Sequence, residues 1–232
     1  MSKALVINGS PNMEKGYTAM ISIPFAQGMT DAGFDVEMLY SSRLDIKPCN
    51  CGHMFCWDRS PGKCYIKDDD MQLLYPKLRK AEILVLATPV YIPLPGGMQN
   101  IINRLCPIID PILEFREGRT RAKLREGVNI SKIVLVSTSG WWERGNFETV
   151  IRIVEELAKD CSVEFAGALL RPHAWLMMQK GILTPDGRGV LDAARKAGCE
   201  LAKNGIISKD TLDLISRPLV SQEEFWRKYV EE

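Results

Sequence analysis

The sequence is short of net charge. Its 30 lysines and arginines face 29 aspartates and glutamates, leaving +1 at neutral pH. No global field therefore points to nucleic acid, and no RNA- or DNA-binding signature is visible. Long hydrophobic runs are missing too. No apolar stretch approaches the ~20 residues needed to cross a bilayer. Met1-Ser2-Lys3 leads straight into residues 4–7, a run too short for a secretory leader. Internal repeats, low-complexity tracts and an interdomain linker are likewise absent. The glycines and lysine of residues 9–16 are misplaced for both the dinucleotide fingerprint and the Walker loop. These absences leave a soluble cytoplasmic protein with no nucleic-acid or membrane partner as the expectation.

What is present is ordinary globular composition, 46% hydrophobic and 25% charged over 232 residues. That length suffices for one α/β domain with a buried core and some added segments. Five β-rich runs, at residues 4–7, 34–40, 82–87, 132–136 and 162–170, alternate with helical stretches, the signature of a parallel sheet. The third and fourth are continuous apolar runs, as central strands covered on both faces require. Gly167 interrupts the fifth. Helices are expected over 147–159, where Val150, Ile151, Val154, Leu157 and Ala158 form one stripe, and over 71–80, behind Asp68-Asp69-Asp70. Thr184-Pro185 caps another that Asn204-Gly205 closes. Pro24 is expected to kink the first helix. The domain expected is residues 1–205, with 206–232 as a C-terminal tail. A cysteine-rich loop at 46–67 and a charged insertion at 107–131 exceed a minimal five-stranded fold.

Three strand ends carry chemistry. The first runs into Gly9-Ser10-Pro11-Asn12 before a helix near Tyr17-Thr18-Ala19, where hydroxyls and free N–H groups suit a phosphate. The third runs into Thr88-Pro89-Val90-Tyr91-Ile92, offering amides and a flat apolar wall. The fourth ends in Ser139-Gly140-Trp141-Trp142, and two adjacent tryptophans in a loop place at least one of them at a cleft or an interface. A turn, a rigid proline-rich connection and simple packing explain each loop taken singly. All three, however, leave the carboxyl ends of parallel strands, where open α/β sheets bind ligands. No catalytic side chain is nominated. His173, just after the last strand, reads as structural.

Gly9-Ser10-Pro11-x4-Gly16-Tyr17-Thr18-Ala19 resembles the phosphate loop of the NAD(P)H-dependent FMN reductase and multimeric flavodoxin-like superfamily. Thr88-Pro89-Val90-Tyr91, followed by Gly97-Met98-x4-Asn103-Arg104, looks like its flavin loop. Residues 48–69 look like the segment that distinguishes the iron–sulfur flavoprotein branch. The resemblance spans roughly residues 3–170. It implies a flavodoxin-like three-layer sandwich with a five-stranded parallel sheet of order 2-1-3-4-5 and FMN at its carboxyl edge. By it, Ser10, Asn12, Tyr17, Thr18 and Ala19 would hold the phosphate. Pro89, Val90, Tyr91 and Ile92 would face the isoalloxazine on one side, with Ser139, Gly140 and Trp141 on another. The donor it implies is NAD(P)H or a ferredoxin, and the acceptor a quinone, an oxygen species or another electron carrier.

Four cysteines, Cys49, Cys51, Cys56 and Cys64, fall within sixteen residues, enough to ligate one 4Fe-4S cluster. The branch pattern is usually Cys-x2-Cys-x2-Cys and a fourth; this chain departs from it at the first two gaps. Zinc, a disulfide and reduced bystander thiols stand as alternatives, and His53 is read as outside the ligand set. Cys106, Cys161 and Cys199 read as buried thiols. The rival functions are an NAD(P)H:FMN or quinone reductase without a cluster and a non-enzymatic flavodoxin-like carrier; the near-zero charge and the added segments count against the carrier. The apolar residues of 107–131 predict a homodimer or homotetramer with that segment at a subunit contact, closing over FMN.

Overall fold

The computed structural model describes residues 1–52 and 54–229. Its centre is a five-stranded parallel sheet of β1 (Lys3–Asn8), β2 (Asp35–Tyr40), β3 (Ile83–Pro89), β6 (Lys132–Thr138) and β7 (Glu164–Arg171), in the order β2-β1-β3-β6-β7. This is the flavodoxin-like 2-1-3-4-5 arrangement, with the last two numbers shifted by a hairpin. The insertion supplies that hairpin: β4 (Ile109–Arg116) and β5 (Arg119–Leu124) pair antiparallel as a separate sheet. Its strand signal is weak in sequence because charged residues interrupt both short runs and Pro111 sits in the first. Short strands β8 (Met178–Gln179) and β9 (Ile182–Leu183) make a third, minor ribbon.

The strands sort their side chains by alternation, as a sheet covered on both faces demands. Ala4, Val6, Ile83, Val85, Val134 and Val136 face one core, against α1 (Tyr17–Asp31) and α5 (Pro185–Asn204). Leu5, Ile7, Leu84, Leu86, Ile133 and Leu135 face the other. That side is covered by α2 (Met71–Lys80), α3 (Gly96–Asn103) and α4 (Glu148–Cys161). Gly167, at φ +117°, sits where the register of β7 against β6 slips, so the glycine that blurs the fifth strand marks a bulge rather than a break. Helix α1 runs on through Pro24. The predicted caps of α5 are both present: Thr184 Oγ1 accepts the Gly187 N–H at 2.9 Å, and Gly205 closes the helix at φ +74°.

Beyond Gly205, α6 (Lys209–Ser216) packs on α5 and β7, and α7 (Gln222–Tyr229) buries Phe225 against His173 and Trp175. The tail thus lies on its own domain. The hairpin leans on the last turns of α4, where Arg121 pairs with Glu156 at 2.8 Å and Asp160 at 2.7 Å. It leaves Ile112, Leu113 and Phe115 exposed. The end of α4 lies at the amino edge of the sheet, so the hairpin does not cover the carboxyl edge of its own chain.

Helices α1 and α5 approach backbone to backbone. A Cβ at Gly198 would lie 2.0 Å from the Phe25 carbonyl oxygen, and one at Gly28 1.9 Å from that of Arg195. Neither oxygen can retreat without breaking its own helix. Gly198→Ala should therefore force the pair apart and destabilise the protein by about 1–3 kcal/mol, read as a lower urea midpoint at unchanged slope.

Candidate functional site

Parallel register brings three loops to one level. Asn8 pairs with Ala87, Ala87 with Val136, and Pro89 with Thr138, so the chain leaves β1, β3 and β6 side by side. The space between is a cleft of about 840 Å³, inside the range typical of ligand sites. Val90, Tyr91, Ile92 and Trp141 line it together, with Pro11 and Gly97 on its floor and walls. Tyr91 is 50% and Trp141 61% exposed, unusual for large aromatic groups unless something flat covers them. Gly9 is bare because Met98 lies beneath it: a Cβ there would come within 3.0 Å of the methionine side chain. A groove of similar size between Lys3, Asp35 and Lys77 lies at the amino edge of the sheet, away from these loops.

The first loop is wound for an anion. Ser10 is buried; its N–H donates to Asn8 Oδ1 at 2.8 Å and its hydroxyl accepts the Asn12 N–H at 3.3 Å. Helix α1 then begins at Gly16 without any side-chain cap. The amides of Ala19 and Met20 turn back to the Gly16 carbonyl, so those of Tyr17 and Thr18 are the ones left to face outward at the positive end of the helix. A Cβ on Gly16 would lie 2.6 Å from Ser10 Oγ, so only glycine leaves this cradle open. An uncapped helix start, a buried hydroxyl and an aromatic-walled cleft beside them suit a phosphate joined to a flat ring. FMN has this chemistry.

Other predicted residues sit differently. Thr18 and Ala19 are buried, and the Thr18 hydroxyl shares a 2.8 Å hydrogen bond with that of Thr138, tying α1 to the end of β6. Asn12 and Tyr17 line an adjoining cleft of about 910 Å³ on the other side of the loop, with Lys15, Trp175 and Tyr229. Pro89 is half-buried, Ser139 buried and Gly140 exposed. The Val90 amide donates to the Thr138 carbonyl at 2.9 Å, and the Tyr91 amide to that of Pro93 at 2.9 Å. This loop therefore offers its surface more than these two donors. Ser41 and Ser42, straight after β2, also line the main cleft. The sequence reading missed them, although paired hydroxyls at a strand's carboxyl end are the available signal.

Behind Trp141 lies a buried cation. Arg171 donates to the carbonyls of Pro172, Ile215 and Arg217 at 2.7–2.8 Å and to His173 Nε2 at 3.0 Å. Burial, with Arg217 nearby, lowers its pKa to about 10. His173 also accepts the Leu219 N–H on Nε2 at 3.1 Å, which puts its proton on Nδ1. Its ring stacks on Trp142, and burial with the Arg171 charge lowers its pKa to about 4. This fits the structural role read from sequence.

The cysteine-rich loop is anchored at both ends by Arg104, which is 1% exposed. Its guanidinium grips both oxygens of Asp69, at 2.6 and 3.1 Å, and donates to the carbonyl of Lys47 at 2.8 Å. The loop's middle reaches well past that anchor: Arg79, late in α2, donates to the Gly62 carbonyl. Among the described residues, no three of His, Cys, Asp and Glu are grouped to hold a metal ion. Cys49, Cys51, Cys56 and Cys64, expected to ligate a cluster, are therefore not brought together as a ready ligand set, for iron–sulfur or for zinc. His53 lies outside the described residues.

Residues 2–141 match the profile of the family described as NADPH-dependent FMN reductase. Two iron–sulfur flavoproteins are similar in sequence. That of Methanosarcina thermophila is 34% identical over 54% of this chain and 60% of its own length. One from Archaeoglobus fulgidus is 32% identical over 44% of this chain and 48% of its own. The chain thus spans about half the length of the curated relatives it matches. Among solved structures, an NAD(P)H:quinone oxidoreductase from Methanothermobacter marburgensis superposes with a TM-score of 0.61 at 15% identity, covering 86% of this chain and 98% of that one. An FMN-dependent NADH-azoreductase from Bacillus anthracis gives 0.56 at 11%, covering 88% and 100%. These likenesses establish the fold.

The buried histidine sets a pH dependence. A group whose folded pKa is about 4, against 6.5 in the unfolded chain, binds its proton first in the unfolded state. Stability should be full above pH 6.5 and fall as the pH drops towards 4, by on the order of 2–3 kcal/mol. Urea titrations across that window should show a smaller slope in His173→Gln.

Proposed function

The chain belongs to the NADPH-dependent FMN reductase family, and from that premise we propose that it is an FMN-dependent oxidoreductase. The observation that carries this reading is the convergence of the loops after β1, β3 and β6 on one aromatic-walled cleft. Bound there, FMN supplies the redox chemistry, taking two electrons as a hydride from the donor and passing two on to the acceptor. The protein's part is to bind, orient and shield the ring. Ser10, Asn12, the amides at Tyr17 and Thr18, and Ala19 beside them make up the phosphate end. Pro89, Val90, Tyr91 and Ile92 wall the ring on one side, and Ser139, Gly140 and Trp141 on the other. Thr18 acts through Thr138, holding the helix start against β6. Trp141 and Tyr91, both exposed in that cleft, would shield a bound ring from water.

NAD(P)H is the donor in this reading, with a ferredoxin as the second choice, and a quinone, an oxygen species or another electron carrier is the acceptor. The names of the similar iron–sulfur flavoproteins support a 4Fe-4S cluster on the loop of Cys49, Cys51, Cys56 and Cys64. The flavodoxin-like unit is residues 1–205, and 206–232 is a tail added to it. We place the protein in the cytoplasm; among the described residues no helix is long and apolar enough to cross a membrane. The exposed Ile112, Leu113 and Phe115 of the hairpin favour a homodimer or homotetramer. There the hairpin could meet the cleft of a neighbouring subunit, although it does not reach its own.

Flavin binding is the direct test. Apoprotein titrated with FMN should quench the flavin fluorescence at one equivalent, and heat-released cofactor should run as FMN rather than FAD. Gly16→Val fills the cradle at Ser10 and should weaken binding at least about tenfold, with an unchanged far-UV spectrum. Apoprotein indifferent to FMN would refute the assignment.

A further inference from the structure

The cleft assigned to the flavin has no charged side chain in its lining among the described residues; glycine, proline, serine, aliphatic and aromatic groups build it. It suits a flat ring. A reduced nicotinamide dinucleotide offers such a ring at one end only. Its bridging phosphates, and the 2′-phosphate of the phosphorylated form, are anions that need cations elsewhere.

The adjoining cleft of about 910 Å³ carries them. Three elements each bring one lysine to its lining: Lys15 from the loop after β1, Lys180 from the turn between β8 and β9, and Lys228 from α7. None of the three is in an ion pair among the described residues, and Lys228 lies 5.3 Å from the centre of the Tyr229 ring. Of the carboxylates in the lining, Asp186 is already paired with Arg217 at 2.9 Å, which leaves Glu224 to face the three ammonium groups. The turn that presents Lys180 is not explained by its own geometry. Lys180 sits at φ +50° and Gly181 at +78°, a two-residue hairpin turn whose first place favours asparagine or glycine. A lysine there strains the backbone and puts its charge at the tip.

The wall of this cleft is aromatic. Trp175 packs edge-on against Tyr229, with ring centres 4.4 Å apart, and Tyr17 is 41% exposed. Such rings are stacking surfaces for a nucleobase. Trp175 also joins the two clefts, since its indole N–H donates to the carbonyl of Gly140, beside Trp141, at 3.2 Å. Between them runs one loop, with Pro11 lining the flavin cleft and Asn12, Gly16 and Tyr17 lining the other. Trp175, Lys180 and Lys228 all lie beyond residues 2–141, the part that matches the family profile.

We propose that this second cleft holds the adenosine phosphate end of NADPH while the nicotinamide reaches the flavin, and that Lys180 and Lys228 make the 2′-phosphorylated donor the preferred one. The proposal rests on the FMN-dependent reading above and names the donor's second foothold on that site. Lysine serves here as a point charge for phosphate, and the aromatic wall receives the adenine.

The test uses protein loaded with FMN and titrated calorimetrically with adenosine 2′,5′-bisphosphate, which has the adenosine end of the donor and no redox ring. Wild type should bind one equivalent without releasing FMN, and the compound should inhibit quinone reduction competitively with NADPH. Adenosine 5′-monophosphate should bind at least about tenfold more weakly. In the double variant Lys180→Glu, Lys228→Glu, affinity for the bisphosphate should fall at least about tenfold and KM for NADPH rise by a similar factor, with kcat and bound FMN unchanged. Lys180→Asn removes one charge while giving the turn a better residue, so its loss of affinity, about threefold or more, cannot come from misfolding. No binding to FMN-loaded wild type, equal binding of the monophosphate, inhibition that is not competitive with NADPH, or wild-type affinity in both variants overturns the proposal and leaves the flavin reading standing. A chain that takes up no FMN overturns the reading beneath it, before any nucleotide is added.

Discussion

Parallel strand pairing is the constraint from which the rest follows. A parallel sheet turns every strand the same way, so all its carboxyl ends arrive at one edge, and helices must cover both faces to return the chain. Here the register sets Asn8, Ala87 and Val136 level, which brings Gly9, Val90 and Trp141, just beyond the strands, to one cleft. The helices then do two tasks at once. Helices α1 and α5 close one core through a contact so tight that it needs Gly28 and Gly198, and the uncapped start of α1 becomes the anion end of the cleft.

A second anchor organises what lies outside the minimal fold. Asp69 and Arg104 are both essentially sealed from solvent, with side-chain exposures of 0% and 1%, and are joined by two hydrogen bonds. Removing one partner of such a pair costs about 3–5 kcal/mol, because the other is left charged and buried. The pair holds the two feet of the cysteine-rich loop together at the end of α3, since Arg104 also takes the carbonyls of Lys47 and Ile66. The loop's middle is then free to run to Cys106, whose carbonyl accepts the Trp57 indole N–H, and to Arg125, which donates to the Cys56 carbonyl. Each set of contacts acts on a different stretch, so the feet and the cysteine-bearing middle are placed independently.

The tail has a comparable role on the opposite flank. Arg171 carries its charge into the core with no carboxylate paired to it among the described residues, and the carbonyls of Ile215 and Arg217 stand in for water. Those carbonyls belong to the end of α6, so α6 completes the hydrogen bonding of β7. Trp142 is drawn inward by His173 and by the Val220 carbonyl at 3.2 Å. Its neighbour Trp141 is left at the cleft. The division of labour between two adjacent tryptophans is thus decided by the tail.

Local pattern carried much of this. Five runs of β-branched and apolar residues, the caps Thr184 and Gly205, and three polar-then-aromatic strand ends were legible because each depends on neighbours in sequence. The parallel sheet and the expectation of a site at its edge followed from them, and the strand order from the family resemblance. The hairpin of residues 109–124 was not legible, since Arg121 on β5 gains its partners from Glu156 and Asp160 in α4. Ser41 and Ser42 escaped notice because their part in the cleft depends on β2 lying beside β1. Cys106 read as one more buried thiol: its distance in sequence from Cys56 conceals what Arg125 and Trp57 bring together. Sequence by itself determined which segments become strands and helices and which strand ends carry polar groups, because those choices are made within a few residues. Only the tertiary structure decided which distant side chains face one another, because that rests on buried charges and hydrogen bonds between elements that no local pattern records.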